Sequence, residues 1–300
     1  MAKKKKLKAP SPPFTEEELT YIEYKMNPTS PSLLKMEPIP YVDYSYNIDI
    51  RCKNQKQKQY LNLLKDDSKQ IVAALGEPGT GKSWVSLAYA LQSLKVGRFK
   101  KIICFCPTTP AGAKTLDIGF LPGDLEQKMS PYIQADCETM KSILEDSGNA
   151  MVERVVNGLR RNGVIEHRLV NYARGCSINN ALILINEAQN FSIEELVLLL
   201  TRIGGHKRGI SPQEAAAAGE EFYYGSGASK IVISGDIRQL DRNDIKKAGK
   251  KSSVLEVVER LDDMEEFGRV DFEKSDIVRN PLIAKILERL DPLNEKIQWI

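Results

Sequence analysis

Histidine is nearly absent from this 300-residue chain: His167 and His206 are the whole supply, too few for a His-rich metal centre. The five cysteines, Cys52, Cys104, Cys106, Cys137 and Cys176, are odd in number and lack paired CxxC spacing. That argues against a disulfide framework or a zinc site and fits a reducing cytoplasm. No apolar run approaches membrane-spanning length, and the basic start Met1 to Lys8 leads into proline, serine and charge, so neither a span nor a secretory signal is read. A dominant charge is missing too: 43 basic residues against 40 acidic ones leave a net charge of +3. Any affinity for nucleic acid must therefore be local, and aromatic content of 7% supplies no evident stacking platform.

What is present is enough to fold. A hydrophobic fraction of 42% with 28% charged residues implies a globular chain with a substantial core. Residues 1–45 carry the run Lys3 to Lys6, then prolines and scattered tyrosines, and read as an extension without a core of its own. From residue 46 short β-branched runs alternate with helical patterns, the signature of βαβ units on a parallel sheet. The expected strands are Gln70–Leu75, Lys101–Cys106, Ile165–Tyr172, Ala181–Ile185 and Lys230–Ser234, with a weaker Arg269–Phe272. Between the second and third, residues 125–163 read as a helical insertion of two or three helices. Residues 205–228 read as a long Gly/Ala-rich loop carrying His206, Lys207 and Arg208.

Gly76-Glu77-Pro78-Gly79-Thr80-Gly81-Lys82-Ser83 matches GxxxxGK[ST] in full, directly after a strand and before a helix in which Trp84, Leu87, Ala88, Leu91 and Leu94 share a face. Glycines at that spacing let successive N–H groups turn inward onto phosphate oxygens, and the helix N-terminus adds its partial positive charge. Lys82 is expected on the β- and γ-phosphates and the Ser83 hydroxyl on Mg²⁺, so ATP and Mg²⁺ are the expected ligands.

Hydrolysis at such a cradle needs carboxylates at the end of another strand. The apolar run Ala181–Ile185 ends in Asn186-Glu187-Ala188-Gln189-Asn190. Glu187 is the candidate for orienting the attacking water and, with Ser83 and Asn186, for the metal region. A solvated carboxylate at a strand end is the plainer alternative. Asn186 stands where an aspartate is expected and brings no negative charge. Gln189, or Gln239 in Gly235-Asp-Ile-Arg-Gln239, can sense the γ-phosphate, and Arg279 in Asp276-Ile-Val-Arg279 is the candidate cation over the transferring phosphoryl group. Spacing alone leaves open that Arg279 caps a helix or pairs with Asp276.

These segments, with Pro107-Thr-Thr-Pro-Ala-Gly112, Gly119-Phe-Leu-Pro-Gly-Asp-Leu125, Arg174-Gly175, Asn179-Asn-Ala181 and Leu200-Thr-Arg-Ile-Gly204, together resemble the PhoH-like family of ATPases across roughly residues 50–290. The resemblance implies an α/β fold with a RecA-like P-loop core, Mg²⁺-dependent ATP binding and assembly into a homo-oligomer, a hexameric ring among the options, in which Arg279 would act across a subunit boundary. It also implies that Asn54-x-x-Gln57-x-x-Tyr60 reads adenine, with Gln57 bonding the base and Tyr60 stacking on it or packing nearby; an ordinary amphipathic helix face is the alternative. Small single-core members of this kind resemble those carried by bacteriophages. The partner expected from the resemblance is RNA or single-stranded DNA, with phosphate contacts from Lys114, Lys128, Arg160, Arg161 and Lys207-Arg208, charges that equally suit a solvated face. Two functions follow as alternatives: an ATPase working on nucleic acid, or a nucleotide-binding switch with little turnover because of Asn186. A small-molecule kinase fits the two Gln-bearing motifs less well.

Overall fold

The computed structural model describes residues 44–108, 125–204, 229–236 and 252–280, with 282, 283, 285, 286 and 289 beyond them. All of these lie in one compact unit, Val42–Ile300. Six strands build a single sheet: β1 (Ile71–Gly76), β2 (Lys101–Cys106), β3 (Ile165–Leu169), β4 (Ala181–Ile185), β5 (Lys230–Gly235) and β6 (Phe267–Phe272). Their order is β3-β2-β4-β5-β1-β6, and every pairing is parallel. The helices are α1 (Gln55–Lys65), α2 (Lys82–Lys95), α3 (Leu125–Asp146), α4 (Val152–Arg161), α5 (Ile193–Leu200) and α6 (Ser253–Leu261).

Period-two alternation sends each strand's side chains to two separate apolar layers. Val72, Ala74, Ile102, Cys104, Leu182, Leu184, Val232 and Phe272 join residues of α1 to α4 on one face. Ala73, Leu75, Ile103, Phe105, Ile183, Ile185, Ile231 and Ile233 join α5 and α6 on the other. The α/β sandwich expected from the sequence is thus present, and β1, β4 and β5 are buried at every position because both faces are covered.

Local chemistry sets the helix starts. Asn54 caps α1 by accepting from Gln57 N at 2.8 Å, and Ser192 with Glu195 forms a reciprocal capping box on α5. The helices of residues 125–163 are two, and Met140, Ile143, Leu144, Val156 and Leu159 from them are buried in the same layer as the strands.

Two strand expectations differ from the structure. The strand expected over Ile165–Tyr172 ends at Leu169, and Val170–Ala173 form a 3₁₀ turn. Leu169 pairs with Cys106, the last residue of β2, so no ladder partner remains beyond it. At the opposite edge β6 begins at Phe267, two residues before the expected Arg269. There Gly268 faces Leu63, whose Cδ2 would lie 3.0 Å from an added Cβ, so close packing on α1 hides an apolar position in the sequence. Residues 1–43 of the extension, the 205–228 loop, residues 109–114 and the whole Gly119–Asp124 segment lie outside the described residues.

Candidate functional site

All parallel strands end on one edge, and the crevice beyond their carboxyl ends is where an open α/β sheet gathers ligands. β1 ends there at Gly76, with φ of 127° and no room for a side chain: an added Cβ would stand 1.9 Å from Phe272 O on β6. Gly79 and Gly81 continue the turn with φ of 78° and 86°, and Gly81 is the N-cap of α2. The loop is braced from several sides. Thr80 Oγ1 donates to Glu77 O at 2.9 Å, Gln57 Nε2 donates to Thr80 O at 2.8 Å, and the backbone N–H groups of Val278 and Arg279 donate to Gly79 O at 3.0 and 3.2 Å. Lys82 Nζ lies inside the turn, donating to Gly76 O at 2.8 Å and Glu77 O at 2.7 Å. Burial lowers the Lys82 pKa, against the opposing charges of Asp236, Glu187 and Glu77, which mark how close those three carboxylates stand.

β5 separates β1 from β4, so two interstrand spacings set the P-loop about 10 Å from the end of the acidic strand. That gap is wide enough for a terminal phosphate and a water between Lys82 and Glu187. Glu187 adopts φ 52°, ψ 46°, a left-handed backbone uncommon for a side chain of this size, which turns it out of the strand direction. Gln189 holds it there: its Nε2 donates to Glu187 Oε2 at 2.7 Å while its Oε1 accepts from Asp236 N at 3.0 Å. Asn186 is held at both ends, its Oδ1 accepting from Ser234 Oγ at 2.9 Å and its Nδ2 donating to Asp136 Oδ1 at 3.1 Å.

One cleft of about 1020 Å³ gathers most of the expected residues: Gln57, Pro78, Gly79, Gly81, Lys82, Ser83, Trp84, Asn186, Glu187 and Arg279 all line it. Gly76, Glu77 and Thr80 complete the loop from below, with Glu77 and Thr80 buried. Arg279 is exposed and lines the cleft, its backbone N–H donating to Gly79 O of the same chain's P-loop.

Tyr60 is the clear departure. It is fully buried, edge-on to Phe272 with ring centroids 6.1 Å apart, and packs the core rather than a base. Gln57, beside it, is 3% exposed and commits its amide to Thr80 O and to Lys53 N, the latter at 2.7 Å, so here it braces the loop. Arg160 and Arg161 end α4 just ahead of β3, and neither lines the cleft. Gln239, Lys114, Lys207 and Arg208 lie outside the described residues, as does the side chain of Lys128.

Three further residues shape the site, and of these only Asp236, in the Gly235-Asp-Ile-Arg-Gln239 segment, falls within a motif. Asp236 is 5% exposed at the end of β5, Ser234 bonds Asn186, and Asp136 enters the cleft from α3, eleven residues past the Leu125 that closes the last motif before it. The only clue to Asp136 was its place on a long amphipathic helix, which points to packing. Its Oδ2 lies 3.1 Å from His167 Nε2. Cys104, Asp136 and His167 bring a thiol, a carboxylate and an imidazole within 4.8 Å of one another, a set able to hold a metal ion. Burial and then the Asp136 charge push the Cys104 thiol well above its ordinary pKa and that of Cys106 up to about 12, so both are protonated thiols in this state.

The donors suit a magnesium-bound nucleoside triphosphate. The glycine cradle carries the Ser83 hydroxyl and faces the Asn186 amide and the carboxylates of Glu187 and Asp136, with the Asp236 charge near Lys82, oxygen groups that match a hard divalent cation; the thiols of Cys104 and Cys106, which also line the cleft, are protonated and do not compete as thiolates. No helix among the described residues is long and apolar enough to cross a membrane.

The chain is 31% identical to a PhoH-like protein of Bacillus subtilis over 246 residues, covering 82% of this chain and 65% of the relative. It is 29% identical to the protein PhoH of Escherichia coli over 238 residues, 79% of this chain and 57% of the relative. Thus it spans roughly three-fifths of the length of these curated relatives. The family described as PhoH-like protein matches residues 49–213 and 225–291, which include the P-loop, the Glu187 strand end, Asp236 and Arg279. With that match over most of its length and the cleft at the carboxyl edge of its sheet, the chain belongs to the PhoH-like family.

Proposed function

We propose that this chain binds Mg²⁺-ATP in the P-loop cleft and hydrolyses it, and that turnover is coupled to RNA or single-stranded DNA. The observation that supports this most directly is the facing pair: Lys82 inside the loop and Glu187 across the gap left by β5, with Gln189 fixing the carboxylate. Lys82 neutralises the terminal phosphates, Glu187 accepts from and orients a water, and Arg279 at the mouth offsets charge on the transferring group. Bound Mg²⁺ would neutralise phosphate oxygens beside Ser83. Glu187 is the base by geometry, since its free oxygen Oε1 is not the one that receives Gln189.

Nucleic acid is proposed as the coupled ligand from the segments that leave β2 on the cleft edge. Thr108, the last described residue there, donates its hydroxyl to Glu195, the residue that also caps α5 just after Gln189. A homo-oligomer, and residence in a reducing cytoplasm where the free cysteines persist, complete the proposal. The test is phosphate release from ATP measured alone, with RNA and with single-stranded DNA, across a salt titration. Stimulation that weakens with salt supports the reading; Mg²⁺-ATP binding with background phosphate release under all three conditions overturns hydrolysis. That second result favours a nucleotide-dependent switch, a reading motivated by Asn186, whose amide is bonded at both ends and carries no charge.

A further inference from the structure

Residue 186 lacks the carboxylate expected at the end of an acidic strand, yet a carboxylate stands one hydrogen bond away on a different element. Asp136 reaches into the cleft from α3, its side chain 14% exposed, alongside Ser83, Lys82 and Glu187. Asn186 Nδ2 donates to its Oδ1 at 3.1 Å, and His167 Nε2 lies 3.1 Å from its Oδ2. On the other side Ser234 Oγ donates to Asn186 Oδ1 at 2.9 Å. The polarity of this chain is fixed by Asp136: an ionised carboxylate only accepts, so the amide must turn its NH₂ toward it and its oxygen toward Ser234. Without a cation an aspartate at 186 would be disfavoured here, because it has no N–H to donate and its carboxylate would stand about 3 Å from that of Asp136.

We propose that Asp136 carries the magnesium-directed negative charge of this site in place of residue 186, and that Asn186 is an amide because it must donate to that carboxylate. The charge has moved by one hydrogen bond, from β4 to α3. This rests on the cleft being a Mg²⁺-ATP site. Asp136 acts on the ion's own shell or through its water, as a carboxylate at the rim of a hard-cation site does, and His167 and Asn186 orient it.

A double-mutant cycle on the full chain tests it, with D136N, N186D and the exchange D136N/N186D. Two quantities are read: the thermal midpoint without nucleotide or Mg²⁺, and ATP affinity by calorimetry in Mg²⁺ and in EDTA. D136N keeps a carbonyl for Asn186 Nδ2 and turns its NH₂ to His167 Nε2, which accepts it as the other tautomer; it should weaken ATP binding in Mg²⁺ by on the order of tenfold, as loss of an orienting outer partner does, and leave binding in EDTA unweakened, since a negative charge near the phosphates is removed. N186D should lower the nucleotide-free midpoint. The exchange, which again offers one carboxylate and one amide, should recover both the midpoint and most of the Mg²⁺-dependent affinity. The inference is overturned if D136N binds ATP in Mg²⁺ as the parent does, or if the exchange loses the sum of the two single losses. Should N186D fail to fold, the D136N comparison in Mg²⁺ and EDTA decides alone. Parent protein that binds no Mg²⁺-ATP would refute the function itself, a result distinct from an additive cycle in a protein that binds.

Discussion

Replacing Glu187 by glutamine separates chemistry from binding and from folding. In the structure Glu187 Oε2 receives Gln189 Nε2 at 2.7 Å, and Gln189 cannot turn over because its own oxygen accepts from Asp236 N at 3.0 Å. The substituted amide must therefore direct its carbonyl at Gln189. Its NH₂ then faces the water, where a donor replaces the acceptor that hydrolysis needs. Loss of a general base costs about 10²- to 10⁴-fold in rate, or roughly 3–5 kcal/mol in the barrier. The hydrogen bond to Gln189 survives, so the thermal midpoint should move by no more than about 2 °C, the effect of a few tenths of a kcal/mol in a domain of this size. Binding should hold or tighten, since one negative charge near Lys82 and the phosphates is gone. The assay is single-turnover phosphate release beside calorimetric ATP binding on the same preparation. Turnover equal to the parent's refutes the assignment of Glu187; so does a large fall in midpoint with binding lost, which would make the carboxylate a structural group.

Lys82→Met should weaken Mg²⁺-ATP binding by on the order of 10- to 100-fold, since hydrogen bonds to charged groups contribute about 1.5–3 kcal/mol each; calorimetry checks it. Gly76→Ala places a Cβ 1.9 Å from Phe272 O at a φ of 127°. Strain of about 1–3 kcal/mol, added to the shift forced on β6, should lower the midpoint by roughly 5 °C or more, read by differential scanning fluorimetry. Lys230, buried beneath α1, donates to Leu64 O at 2.7 Å and Asp66 O at 2.6 Å, and burial, with Arg98 adding repulsion, pulls its pKa down to about 7. The folded state then binds fewer protons than the unfolded chain between that value and the ordinary lysine pKa, so stability gains as pH rises through this window. The midpoint of the parent relative to Lys230→Met should accordingly climb from pH 7 to pH 10; a flat difference would mean that the ammonium stays charged on the α1 carbonyls.

Strand positions were legible wherever both faces are covered. Ala181–Ile185 and Lys101–Cys106 are found at their expected bounds because burial on two sides demands an unbroken apolar run, which has few other readings. The edges were less legible: β3 stops when β2 runs out of partners, and β6 hides behind Gly268, Arg269 and Asp271, features decided by neighbours rather than by local pattern. Tyr60 misled for a related reason. On a helix face near the P-loop an aromatic ring suits a base as well as a core, and only the approach of Phe272 from β6 decides between them.

The cleft divides along the same line. Gly76 to Ser83 and Glu187 were visible because backbone geometry and strand-end chemistry impose residue types at fixed spacing, whereas Asp136 lies 50 residues before its partner Asn186 on a helix whose pattern reports only packing. The sequence did carry one trace of it, the amide at 186. An unexpected residue at a constrained position implies either a lost property or a compensating group elsewhere, and these differ in what surrounds the residue. A mere loss would leave the Asn186 amide facing water or the cleft; instead both of its ends are engaged, and the group that takes its N–H is an ionisable carboxylate aimed into the same cavity. The geometry of the amide therefore argues for compensation, and places the missing charge where the chain can still present it to a cation.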